Sequence, residues 1–203
     1  MTLALDIPIV DVSAAALGIR FNAPAPELLA TLDLQGGEFG LRLSIIGASH
    51  VVDVLHGVDE PQLVFREEIS CNARAGGQAV AGGVRKNMEL PTWQGTQAHG
   101  ARYTIDVDTH VMEDAELAAH ADELATRAEA QPTTSAGWLA RRFPGEGEHH
   151  LTALHGEITM TNSQAHLQWR TWHVYPEEGA IVESTSTITW PEAPAPNLGG
   201  RHV

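Results

Sequence analysis

The chain has 203 residues, 12 basic and 26 acidic side chains, and a formal net charge of −14. A field of that sign repels phosphate backbones and anionic bilayers, so neither nucleic acid nor a membrane surface is expected as a partner. The single cysteine, Cys71, cannot form an intrachain disulfide, which fits a reducing compartment, and the length is enough for one domain to bury a core without staples.

The first residues carry no basic segment ahead of an apolar run. No stretch approaches the ~20 apolar residues of a membrane span. The expected setting is therefore the cytoplasm, with residues 1–190 as one domain and 191–203 as a disordered tail rich in proline and glycine.

In chain order, Leu3, Leu5, Ile7 and Ile9 alternate with polar or small residues, which predicts an edge strand because Pro8 cannot donate to a ladder. Gly18 to Asn22 reads as a short extended piece. Leu28 to Leu34 and Phe39 to Ile46 flank Gln35-Gly36-Gly37-Glu38, the pattern of a hairpin. His50 to His56 and Pro61 to Cys71 follow as strands; in the second, Leu63, Phe65 and Ile69 share a face that Glu67 interrupts. Asn72 to Lys86 holds two glycine pairs without the ordered spacing of a phosphate-binding loop, and is expected to be a flexible connection.

Alternation returns from Ala101 to Met112, with Ile105, Val107 and Val111 on one face and Thr104, Asp106, Asp108 and His110 on the other. Asp114 suits an N-cap, and Leu117, Ala121, Leu124 and Ala128 recur at helical spacing up to Pro132. A second, shorter helix is predicted after Thr134 or Ser135, containing Trp138 and Leu139. It would end at Arg141 and Arg142, whose charges suit the negative end of its dipole. From Glu148 to Trp190 the pattern is a β-meander. Its middle strand carries Leu167, Trp169, Thr171, His173 and Tyr175 on one side and Gln168, Arg170, Trp172 and Val174 on the other, which places it inside a sheet covered twice.

Chemistry could reside in a few groups. Asp106, Asp108 and His110 could converge with His155 and Glu157 if their strands were neighbours, an oxygen and imidazole set suited to a divalent metal; solvated strand faces are the simpler alternative. Arg66, Arg102 and Arg170 sit in predicted strands and would bind an anionic small ligand if they lined a closed interior. His149 and His150, beside Glu146 and Glu148, read as a surface feature. No serine sits in a nucleophile elbow, and Trp169, Trp172 and Tyr175 read as core.

The stretches Leu41 to Asp53 (LRLSIIGASHVVD) and Trp169 to Gly179 (WRTWHVYPEEG) resemble an uncharacterised actinobacterial family known only as a domain of unknown function. The resemblance implies a bacterial cytoplasmic protein and supplies no activity. The triphosphate tunnel enzymes are also closed antiparallel barrels, but their leading Glu-x-Glu-x-Lys strand is missing, since the first strand offers only Asp6 and Asp11.

These patterns predict an α+β protein: a strongly curved or barrel-like antiparallel sheet of roughly eight strands with one long helix packed outside. Three functions remain open from the sequence, and with them whether the chain is an enzyme. They are a protein binding a small ligand, anionic or neutral, in the concavity, a metal-dependent hydrolase of phosphate compounds, and a homo-oligomeric structural protein burying the aromatics of its last hairpin between subunits.

Overall fold

The computed structural model describes residues 27–47, 49–70, 84–89, 101–143, 150–161 and 164–191. The two extended pieces expected near the N-terminus, most of the glycine-rich connection, His149 and the C-terminal tail lie outside the described residues.

The first four strands are β1 (Leu28–Gly36), β2 (Phe39–Ile46), β3 (Ser49–His56) and β4 (Gln62–Ser70), joined as a meander in the order β1-β2-β3-β4. The first turn works because Gly37 takes a φ of +59° without a side-chain clash. β5 (Val84–Glu89), β6 (Arg102–Val111), β7 (Ala136–Arg142), β8 (Leu151–Met160), β9 (Gln164–Tyr175) and β10 (Ala180–Pro191) form a second antiparallel sheet in the order β5-β6-β10-β9-β8-β7. β9 thus lies inside the sheet, as its two-sided aromatics require, and Gly179, at a φ of +59°, closes its hairpin with β10.

The sheets do not close into a barrel of eight strands. They stack face to face, with four strands over six. The reason is the inner face of each. Leu34, Leu41, Leu43, Val52, Val54 and Phe65 from one sheet and Tyr103, Leu154, Leu167, Trp169 and Ile188 from the other form one buried cluster that fills the space between them. Close approach is set by Gly137 and Gly156, Cα partners on β7 and β8. A Cβ on Gly156 would stand 2.9 Å from a Leu34 methyl and 3.1 Å from a Leu43 methyl.

Helix α1 (Asp114–Ala128) covers the outer face of the six-stranded sheet, burying Leu117, Ala121 and Leu124 against Leu151, Ala153, Trp172, Val174 and Ile181. Its N-cap is Glu113, one residue ahead of the expected Asp114, which instead supplies acid to the first turn. The expected second helix is strand β7. Its seven residues are compatible with either period, and pairing with β8 decides for the strand: Leu139 then faces the inner cluster while Trp138 and Ala140 meet α1. Arg142 consequently bonds Asp122 of α1 at 2.6 Å rather than capping a helix of its own. Lys86, expected in a loop, lies in β5.

On the outer face of the four-stranded sheet, Asp33, Arg42, Asp53 and Arg66 are successive Cα partners across β1 to β4. Their charges alternate. Arg42 donates to Asp33 at 2.7 Å, and Arg66 grips Asp53 through two bonds of 2.6 and 2.9 Å. Among the described residues no helix is long and apolar enough to cross a membrane.

Candidate functional site

Asp106, Asp108 and His110 project from β6 on the face opposite Tyr103 and Ile105, and His155 and Glu157 project from β8 on that same outer face. The strands are not neighbours. β10 and β9 stand between them, three strand spacings or about 14 Å. One row runs Asp106, Thr185, Arg170, His155, so an arginine occupies the middle of the supposed metal set. That arginine bonds Glu183 and lies 4.9 Å over the Trp172 ring. His155 packs on Trp138 at 4.5 Å, and burial holds its pKa down against the pull of Glu157. Among the described residues no three His, Cys, Asp or Glu side chains already stand in a geometry that could hold a metal ion.

The three arginines do not line an interior either. Arg66 belongs to the charge row on the outer face of one sheet, while Arg102 and Arg170 lie on the outer face of the other. Trp169, Trp172 and Trp190 are buried within the chain, so the last hairpin presents no exposed patch of tryptophans for a second subunit. An open hollow of about 370 Å³ lies at the β1–β2 turn end, lined by Gln35, Phe39, Arg42, Leu55, Val58 and Thr134 among others, but its arginine is already paired with Asp33.

The polar groups of greater interest lie between the sheets. Glu67, which interrupts an apolar face in the sequence, points inward from β4 and is 1% exposed. Its carboxylate accepts from the Tyr103 hydroxyl at 2.5 Å, the Ser186 hydroxyl at 2.6 Å and the Trp169 indole N–H at 2.7 Å. Burial raises its pKa; the three donors, which favour the charged form, oppose that rise. Burial and the adjacent carboxylate raise the Tyr103 pKa as well.

The polar line continues along the inner face. The Thr171 and Ser184 hydroxyls meet at 2.7 Å, one row further on. Beyond them stand three histidines. His173 on β9 shares a bond of 2.5 Å between its Nδ1 and the Thr152 hydroxyl, and its Nε2 lies 3.0 Å from Nε2 of His150, which precedes β8. Their rings meet edge to face at 82°. His50 on β3 descends from the opposite sheet with its ring centroid 5.9 Å from that of His173. It is 3% exposed, and neither of its ring nitrogens has a hydrogen-bond partner. Burial pushes the His50 pKa down to about 3 and, with the other two histidines adding to it, the His173 pKa down to about 2. Both rings are therefore neutral near pH 7. Tyr175 and Phe143, each half-buried, pack on His173 and His150 and form the outer wall.

The sequence carried a signal for part of this cluster. His50 lies in phase with Val52 and Val54, and His173 with Leu167 and Trp169, so both are polar residues at core positions. His150, expected at the surface, is half-buried against His173.

The family described as protein of unknown function DUF2617 matches residues 14–188. The chain is 39% identical over 188 residues to the uncharacterized protein Mb2629 of Mycobacterium bovis and to the uncharacterized protein Rv2598 of Mycobacterium tuberculosis, an alignment covering 90% of this chain and 94% of each relative. No solved structure matches.

Proposed function

We propose, from the premise that this chain belongs to the DUF2617 family of proteins of unknown function, that it is a binding protein. Its ligand is a small molecule or ion seated at the histidine end of the space between the sheets. The observation that carries this is His50, an imidazole enclosed by the fold with neither nitrogen bonded. An unsatisfied buried polar group costs on the order of 1–3 kcal/mol, and the neighbouring buried polar side chains Glu67, Ser186, Thr171, Ser184, Thr152 and His173 all avoid that cost. A ligand that engages His50 would recover it.

The chemistry of the ligand follows from the walls. Neutral imidazoles offer lone pairs and N–H donors but no positive charge, and Arg66 and Arg170 are already committed to Asp53 and Glu183. An electron-pair acceptor or a polar neutral molecule fits this end better than an anion. Hydrolysis at Asp106, Asp108, His110, His155 and Glu157 has less support, because two strands separate the groups.

The test is native mass spectrometry of untagged protein, wild type and His50→Phe, with circular dichroism to establish that both are folded. A bound mass present in the wild type and absent from folded His50→Phe is the expected result. A bare wild type, or an adduct that survives the substitution, would sink the proposal.

A further inference from the structure

We propose that His150 and His173 are two ligands of a divalent transition-metal ion, zinc or a cation with the same preference for imidazole, and that His50 is the third. This rests on the binding function proposed above and names its ligand.

The two Nε2 atoms of His150 and His173 share a hydrogen bond of 3.0 Å, which an ion held between them would replace. Two nitrogens held 2.0–2.1 Å from one tetrahedral zinc stand about 3.3 Å apart, so a metal needs the pair to open by only a few tenths of an ångström. The same geometry places the ring centroids of two ligands roughly 5 Å apart. His150 and His173, at 4.9 Å, already stand near that separation, while the His50 ring, 5.9 Å from that of His173, must move inward to join them.

The surroundings fit as well. A metal-bound histidine usually donates its second ring N–H to an oxygen, which fixes the tautomer and leaves the other nitrogen's lone pair for the ion. Thr152 Oγ1 supplies that oxygen at Nδ1 of His173. His50, with both nitrogens unbonded, has a lone pair to give whichever way its ring turns. Of the three rings His150 is the least buried, and water could complete the coordination there.

The experiment uses the full untagged chain, purified without chelator and analysed for metal content, then stripped and titrated with cobalt(II) and zinc(II). Cobalt reports its coordination number through its visible absorption. The expected result is one ion per chain with the intense bands of a four- or five-coordinate site. Stoichiometric binding should be lost in His150→Ala and in His173→Gln, and affinity should weaken about tenfold or more in Thr152→Val. His120→Ala on α1 serves as the control and should bind as wild type does. Circular dichroism separates loss of ligand from loss of fold; His150→Ala, at a half-buried position, keeps the test decisive if His173→Gln does not fold. Wild type that binds no metal, or metal retained in folded His150→Ala, overturns the inference. If the metal fails while native mass spectrometry still finds an organic adduct that depends on His50, only the metal is wrong and the binding function stands.

Discussion

The Tyr103 hydroxyl donates to the Glu67 carboxylate at 2.5 Å, joining β6 of one sheet to β4 of the other through a bond that is buried at both ends. Phe65 packs beside it with its ring tilted, 4.7 Å from the Tyr103 ring. A single side chain from the four-stranded sheet thereby ties together three strands of the six-stranded one, since Trp169 and Ser186 bond the same carboxylate from β9 and β10.

Removing one donor should be costly. Tyr103→Phe keeps the ring packing and deletes only the hydroxyl, with an expected loss of about 1–3 kcal/mol in unfolding free energy measured with urea. A loss under about 0.5 kcal/mol would mean that the hydroxyl is not a net stabiliser of the carboxylate.

Glu67 also predicts a pH trend. Its folded pKa is raised above the ordinary value of 4.5, chiefly by burial. Its contribution is therefore fully present below about pH 4.5 and fades as pH climbs through the folded value. Compared with the isosteric Glu67→Gln variant, wild type should lose ground steadily from pH 4.5 upward. Urea midpoints of the two proteins at several pH values check this; a gap moving the other way would show that the three donors outweigh burial.

Gly156→Ala tests the packing of the sheets. The new methyl would lie 2.9 Å from Leu34 and 3.1 Å from Leu43, and both leucines are themselves buried. Overpacking of this kind typically costs about 1–3 kcal/mol, which thermal or urea unfolding would report. An unchanged midpoint would mean that the interface yields more readily than its density suggests.

The outer ion pairs should matter less. Asp53→Asn weakens the two-bond grip of Arg66, whose side chain is 54% exposed. Solvent screening keeps the expected loss to about 1 kcal/mol or less, smaller in high salt. A double-mutant cycle with Arg66→Ala measures the pair alone.

Face is a local property and neighbourhood is not, which explains what the sequence disclosed and what it withheld. The two sides of β9 and the buried side of α1 follow from residue spacing, and both stand where spacing puts them. Seven residues around Trp138 are too few for either period to prevail, so β7 emerged only through its partner. Asp106 and His155 do share a face, but the hairpin of β9 and β10 inserts itself between their strands, and no local pattern announces that order. The same holds for the histidines. His50 and His173 could each be recognised as polar residues in a core phase, whereas their meeting depends on how two sheets stack. His150 was obscured by its setting, next to another histidine and close to a proline-glycine turn.

The row Asp33, Arg42, Asp53, Arg66 has a use beyond the small strength of its bonds. Side chains alternate along a strand, so a slip of one residue in any of the three pairings would turn a charged group toward the space that Leu41, Leu43 and Val52 fill. A shift of two keeps the charge outside but removes it from its complement. The row thus works as an alignment mark, ruling out misregistered meanders more strongly than it favours the correct one.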